Sequence, residues 1–344
     1  MAEQYDAVLL VSFGGPDRPE DVMPFLENVL RGRNVPRERM LAVAEHYYHC
    51  GGKSPINEQN ISLLAALREE LDRRGPHLPV YWGNRNWHPL LTDTLREMAD
   101  AGVKRAIAFV TSAYSSYSGC RQYRENIAAA CAALGDRAPQ VDKIRVFFNH
   151  PGFVGPMTAH VLRALSHFQA DSRAAVPVMF TAHSIPTSMA DSCKYGAQFA
   201  EASRLVAEQA GVADWSLVYQ SRSGPPTQPW LEPDICDAIR DLHARGGRHL
   251  VIAPIGFISD HMEVLYDLDT EAADLCRALG IDMVRAATVG TDPAFIGMVR
   301  DLIAERTDML TERPALGRLP ASHDTCPLDC CPAPASRPAA ARPA

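Results

Sequence analysis

No stretch of the 344 residues approaches the roughly 18 uninterrupted apolar residues that a membrane-spanning helix needs. Positive charge is in deficit: 34 Lys and Arg against 41 Asp and Glu leave a net charge of −7. A dedicated nucleic-acid binder needs the opposite balance to displace counterions. The first residues, MAEQYDAVLLVSFGG, carry acids where a secretory signal carries cations, and they run directly into a strand-like segment. The chain is therefore expected to be cytoplasmic. Two phosphate-binding fingerprints are also missing, Gly-x-Gly-x-x-Gly and Gly-x4-Gly-Lys-Ser/Thr. Gly14-Gly15-Pro16 does not replace them, because Pro16 removes a backbone N–H where a phosphate cradle needs one. The sequence thus argues against nucleotide binding.

What is present is an ordinary globular composition, 47% hydrophobic and 22% charged, with length enough for two domains. Short apolar runs alternate with helix-patterned stretches. Ala7 to Phe13 leads into Gly14-Gly15-Pro16, Pro79 to Trp82 into Gly83-Asn84-Arg85-Asn86, and Ala106 to Val110 into a Thr/Ser/Tyr loop ending at Tyr117. The second half repeats the plan: Val176 to Thr181 ends at His183, Leu217 to Gln220 at Ser221-Arg222-Ser223-Gly224-Pro225, and Leu250 to Phe257 at Ser259-Asp260-His261. Runs apolar on both faces and separated by helices describe buried parallel strands. The expectation is an α/β protein of two Rossmann-like, doubly wound halves facing across a cleft. Ligands should then gather beyond the carboxyl ends of the strands. Helices are expected over Ile61 to Arg74, stopped by Gly75-Pro76, and over Asp292 to Arg306. The divisions read as 1–160, 161–291, a closing helix in 292–312 packed back on the first half, and a 313–344 extension ending in a disordered Pro/Ala tail.

His183 stands at a strand end before a turn stiffened by Pro186, where a neutral imidazole is a good ligand for Fe²⁺. Glu263 follows another strand end, near the positive end of a helix dipole. Glu263, Asp267 and Glu271 are spaced four apart and line one helical face. Such a stripe is either a solvated acidic face or a path for a hydrated cation or departing protons. A His and a carboxylate from opposite halves would make a metal site with open positions. Trp87, Tyr117, Tyr123 and Trp230 are candidates to pack on a flat ligand. Arg31, Arg33, Arg85, Arg222 and Lys53 offer cations for carboxylates.

Six ordered segments together resemble the ferrochelatase family: Ser12-Phe13-Gly14-Gly15-Pro16, Gly51-Gly52-Lys53-Ser54-Pro55-Ile56-Asn57, Tyr114-Ser115-Ser116-Tyr117-Ser118, Thr181-Ala182-His183-Ser184-Ile185-Pro186, Gln220-Ser221-Arg222-Ser223-Gly224-Pro225, and Ser259 through Asp267. The resemblance spans about Tyr5 to Arg306. It implies two Rossmann-like halves around a porphyrin cleft, with His183 and Glu263 as the metal-site pair and catalytic groups. It also implies porphyrin contacts at Ser54 and Tyr123, a propionate contact at Arg31, and Asp267 and Glu271 as relay candidates. Phe13 stands where many soluble Gram-positive relatives have Tyr, so coordination of the product iron must differ. With no apolar docking insertion, the pattern is most similar to the soluble actinobacterial enzymes that insert Fe²⁺ into coproporphyrin III. Protoporphyrin IX as substrate, a cobalt or nickel chelatase, and a non-enzymatic metal- or haem-binding protein are the alternatives. The expected partners are coproporphyrin III and Fe²⁺, with a monomeric state and transient contact with neighbouring haem-pathway enzymes.

The nine cysteines are unevenly spread, with Cys326, Cys330 and Cys331 packed into Cys-Pro-Leu-Asp-Cys-Cys-Pro. Three clustered thiols lack one ligand for a four-cysteine site, so a fourth must come from the folded body. Some members of the resembled family carry a [2Fe–2S] cluster divided in this way. That resemblance implies Cys120 as the internal ligand, with Cys131 as its competitor. Zinc could occupy the same four thiols.

Overall fold

The computed structural model describes residues 4–32, 35–225, 227–307 and 309–333. Two four-stranded parallel sheets form its centre. The first contains β1 (Ala7–Ser12), β2 (Val80–Asn84), β3 (Arg105–Val110) and β4 (Gln140–Lys143), in the order β2-β1-β3-β4. The second contains β5 (Val178–His183), β6 (Trp215–Gln220), β7 (His249–Ala253) and β8 (Asp282–Arg285), in the equivalent order β6-β5-β7-β8. All six residues of β1 are buried, because it is flanked by strands on both edges and covered on both faces. In each sheet the chain winds first to one side of the opening strand and then to the other. The crevice between β1 and β3, and its counterpart between β5 and β7, are thus switch points where strand-end loops diverge.

β4 and β8 have no counterpart among the apolar runs of the sequence. Both are edge strands of four residues with no fully buried position, and their Gln-Val-Asp-Lys and Asp-Met-Val-Arg sequences are polar, as an exposed edge requires. The strand expected to reach Phe257 instead ends at Ala253, before Pro254, which has no N–H for the ladder. The helix expected from Ile61 begins at Ile56, directly after Pro55, and is capped at its end by Gly75 with φ +66°. The closing helix covers Pro293–Arg306, with the Asp292 carboxylate accepting from the Ala294 N–H at 2.8 Å.

The two sheets share a single main core. Phe109 from β3 stacks on Phe147, which meets Phe153 and Phe295 edge-on, and this aromatic group is continuous with Val178, Phe180 and Val251 of the second sheet. The helix Pro151–Leu165 runs through the 160/161 division, packing against both Tyr195–Ala210 and the closing helix. The closing helix also packs on Ile56–Arg74 and on β3, so it lies against the first half.

Residues 309–333 form no regular element but are tied down. Asn149 donates to the carbonyls of Leu316 and Leu319 at 3.2 and 2.7 Å, and the side chains of Leu316 and Leu319 join the main core. Of the expected disordered tail, residues 334–344 lie outside the described residues, as does Arg33.

Gly14 and Gly15 do not open space for a phosphate. A Cβ on Gly14, at φ +81°, would lie 2.8 Å from Asn84 Cβ, and one on Gly15 would lie 2.8 Å from Ser54 Cβ. The two glycines let the β2 end and the Ser54 loop press onto the end of β1.

Candidate functional site

His183 is the last residue of β5 and Glu263 follows β7, its neighbour at the switch point. Both therefore come from the second half, which corrects the expectation of one ligand from each half. Their convergence follows from strand adjacency in one sheet. His183 Nε2 lies 3.6 Å from Glu263 Oε2, with the side chains 31% and 46% exposed. His183 Nδ1 contacts the Ser184 carbonyl oxygen. A carbonyl only accepts, so Nδ1 carries a proton and Nε2 is the nitrogen left for a ligand. The Tyr195 hydroxyl donates to the His183 carbonyl at 2.9 Å, fixing the end of β5.

Glu263 is held by the helix start. His261 is the N-cap, and its Nδ1 accepts from the Glu263 N–H at 3.2 Å. The helix is then π-helical over Leu265–Ala272 before returning to α form. Asp267 and Glu271 lie on that wide-turned run. Runs of this type occur disproportionately at functional sites. In its wider turns residues four apart fall just short of a full turn, so the acidic stripe keeps its alignment. Gln220, at the end of β6, donates to the Glu263 carbonyl at 3.0 Å and to Asp267 Oδ2 at 3.3 Å. Ser221 donates its hydroxyl to the same Asp267 oxygen from a left-handed backbone, φ +62°. A non-glycine residue in that region stores strain of about 1 kcal/mol or more, which marks a position set by function or packing.

The electrostatics follow from these contacts. Burial disfavours the imidazolium of His183, but Glu263, the Ser184 carbonyl and Asp267 outweigh it and raise the pKa to about 9. Burial likewise opposes the Glu263 carboxylate, yet His183 lowers its pKa to about 2. The pair is imidazolium–carboxylate at neutral pH. Asp267 is raised to about 7, first by burial and then by Glu263 and Glu271, with the Ser221 hydrogen bond only partly offsetting them. Glu271 is exposed, and what burial it has, with Asp234 nearby, raises it.

The first half contributes aromatic and cationic groups beyond the end of β1. Phe13, just past β1, meets Phe25 edge-on, and the Arg85 guanidinium lies 5.6 Å from the Phe13 ring centroid and 4.5 Å from that of Tyr123. Tyr123 is buried beneath that guanidinium, and Ser54 is buried against Gly15. Arg31 is exposed just past the helix Val22–Val29. Lys53 pairs with Glu58, and Arg222 with Glu232 and the Gln228 carbonyl. Trp87 packs edge-on against Phe25, while Trp230 fills the space opposite Gly224. Tyr117 hydrogen-bonds Glu125 at 3.0 Å. Tyr47, also from the first half, is close enough to Glu263 for that charge to add to burial in raising its pKa. His46 stacks on Tyr266 with ring centroids 3.8 Å apart. Sequence reasoning missed Tyr47, His46, Gln220, Ser221 and His261 as parts of the site. The last three lay inside recognised motifs, but nothing in a sequence distinguishes a residue that supports a carboxylate from one that ligates.

The cysteines sort cleanly. The Cys120 thiol is close to those of Cys326 and Cys331, which lower its pKa while their own are pushed up. Cys330 Sγ lies 3.5 Å from Cys331 Sγ. Arg121 donates to the Cys330 carbonyl at 3.4 Å, Arg124 to that of Cys326 at 3.3 Å, and Lys143 is near enough to favour the Cys120 thiolate. Four thiols ringed by cations form a donor set suited to iron–sulfur or zinc ligation. Cys131 is elsewhere, with its thiol on the Pro139 carbonyl and its side chain packed on the other side of the first sheet. His323, not anticipated, also reaches this group: its Nε2 is 3.7 Å from Cys330 Sγ. A histidine in an irregular tail carries no local signal of such a contact.

The ferrochelatase family model matches residues 5–307. A ferrochelatase of Rhodopirellula baltica is 60% identical, the match covering 95% of this chain and 93% of the relative. A coproporphyrin III ferrochelatase of Streptomyces coelicolor is 54% identical over 99% of this chain and 96% of its own length. That of Nocardia farcinica is 50% identical over 98% and 99%. Among solved structures, SirB from Bacillus subtilis with Fe³⁺ superimposes with a TM-score of 0.52 at 11% identity, covering 88% of this chain and 96% of that one, a likeness of fold alone.

Proposed function

Because the chain belongs to the ferrochelatase family, we propose that it inserts Fe²⁺ into coproporphyrin III, releasing two protons per iron. The observation that carries this reading is the His183–Glu263 pair, 3.6 Å apart beyond the switch point of the second sheet, in a chain more than half identical to a coproporphyrin III ferrochelatase. The macrocycle would lie between this pair and the wall formed by Phe13 and Arg85. Binding energy spent on bending a flat ring exposes nitrogen lone pairs to the metal.

His183 presents Nε2 to the ring centre. In the resting protein that nitrogen is protonated, so an arriving dication and the two pyrrole protons all require a route for protons away from the pair. Glu263 is the adjoining acceptor. Asp267, poised near neutrality at about 7, is matched to pass a proton on, and Glu271 delivers it to solvent. Ser54 and Tyr123, both buried, support the porphyrin wall from behind, and Arg31 and Arg85 supply charge for peripheral carboxylates.

The four thiols of Cys120, Cys326, Cys330 and Cys331 fit a [2Fe–2S] cluster, given their mutual contacts and the surrounding cations. Such a cluster would supply an electron-rich link between tail and body; iron insertion itself moves no electrons, so its part is structural or sensory. Among the described residues no helix is long and apolar enough to cross a membrane. The described cysteines are all free thiols, which agrees with a cytoplasmic, reducing setting.

Anaerobic turnover with both porphyrins tests the substrate. The expected kcat/KM is at least about tenfold higher for coproporphyrin III than for protoporphyrin IX, about 1.4 kcal/mol of transition-state preference. Equal or reversed values would exclude the tetracarboxylate assignment, and faster insertion of Co²⁺ or Ni²⁺ than of Fe²⁺ would exclude iron as the cognate metal.

A further inference from the structure

We propose that His323 is a reserve ligand of the thiol site, placed to take the coordination position of Cys330. The inference rests on the [2Fe–2S] reading above and deepens it. A [2Fe–2S] cluster offers four protein positions, whereas five donors converge here. Two of them are fixed: Cys120 and Cys331 are buried, and Cys331 is held at φ +52°, a backbone conformation a non-glycine residue adopts only when its surroundings impose it. Cys330 is different. It is only partly buried, and its sulfur stands between Cys331 Sγ at 3.5 Å and His323 Nε2 at 3.7 Å. The ligand atoms of His323, Cys326 and Cys330 all lie within 4.8 Å of one another.

Those separations put His323 next to the coordination position of Cys330. With metal–sulfur bonds of about 2.3 Å and metal–nitrogen bonds of about 2.0 Å, two donors on one tetrahedral metal are roughly 3.5–3.8 Å apart. His323 Nε2 stands one such spacing from Cys330 Sγ, beside that coordination position, so it would swing in when the thiolate is gone. Imidazole can replace thiolate on one iron of a [2Fe–2S] centre, and it raises the reduction potential because it brings no negative charge. Cys330 and Cys331 are adjacent in the chain, so one main-chain turn must aim two neighbouring sulfurs at one centre. A histidine seven residues earlier, reaching in from the solvent side, relieves that demand.

The test uses the full chain purified anaerobically, with iron and acid-labile sulfide per chain, the visible spectrum, and the electron paramagnetic resonance spectrum of the dithionite-reduced protein as readouts. His323→Ala alone should keep the wild-type stoichiometry. Cys330→Ser should retain at least half of the cluster, with shifted visible bands and altered g values from a mixed nitrogen and sulfur ligand set. Cys330→Ser/His323→Ala should fall below one tenth of wild type. Cys330→Ser/His323→Cys should regain the four-thiolate spectrum, which guards against reading a folding defect as ligand loss. The inference is overturned if Cys330→Ser alone loses the cluster as completely as the double variant, if the double variant keeps it, or if His323→Ala alone loses it. A wild-type protein holding zinc and no sulfide would instead overturn the cluster reading itself.

Discussion

Arg145 and Glu305 meet through two hydrogen bonds of 2.8 and 2.9 Å with both side chains shut off from solvent, at 0% and 1% exposure. The pair fastens the segment after β4 to the closing helix, and Arg145 also donates to the Pro314 carbonyl at 3.3 Å. One ion pair thus joins the first half, the last helix and the start of the tail.

Removing one partner should leave an uncompensated buried charge. Glu305→Ala is expected to lower the unfolding free energy by about 3–5 kcal/mol, read from urea denaturation. Replacing both, as Arg145→Met/Glu305→Leu, should cost far less, because the desolvation penalty disappears with the charges. Equal losses for the single and double variants would show that packing, not charge, holds the junction.

His183→Ala is expected to reduce iron insertion by about 100-fold or more while porphyrin affinity changes only a few-fold. Anaerobic turnover and fluorescence titration with free porphyrin measure the two separately. Substantial turnover in this variant would remove the imidazole from the chemistry.

Asp267 provides a pH-dependent prediction. Its pKa is raised from 3.8 to about 7, so the folded protein favours the protonated carboxyl. The sign follows: the group costs nothing below about pH 3.8, destabilises the fold increasingly up to about pH 7, and by a constant amount above. Asp267→Asn should therefore be more stable than wild type at pH 8, by about 1–2 kcal/mol after allowing for solvent screening. The two should be indistinguishable near pH 3.5. Thermal melts at both pH values check the difference, and turnover should fall in the same variant because a proton acceptor is lost.

The thiol assignments separate by colour. Protein purified without oxygen should be brown, and Cys120→Ser should abolish the visible absorbance, whereas Cys131→Ser should leave it intact. A colourless wild type with one zinc per chain would refute the cluster.

The legible parts of this fold were those where hydrophobicity alone decides. Buried central strands such as β1 and β5 are apolar on both faces and announced themselves, and so did the strand-end positions of His183 and Glu263. The edge strands β4 and β8 were illegible because half-exposed residues carry no apolar period. That His183 and Glu263 share one sheet was also missed. Both residues already fell within the 161–291 division, but motif order alone does not reveal which strands are neighbours, and the β6-β5-β7-β8 order is what brings their loops together. The π-helical run could not be read from a four-residue spacing, which suits either helix type. Segment 309–333 reads as loose tail by composition. It is nonetheless ordered, because two of its anchors, Asn149 and Glu201, lie far away in sequence, and Arg306 of the closing helix adds a third.

The wide turns of Leu265–Ala272 imply a trade between robustness and chemistry. A one-residue deletion inside that run would let the backbone relax to the tighter, better-bonded spiral and would stiffen the molecule. The same deletion would shift Glu271 against Asp267 by a fraction of a turn, so in the proposed proton route a hardier protein would be a poorer catalyst.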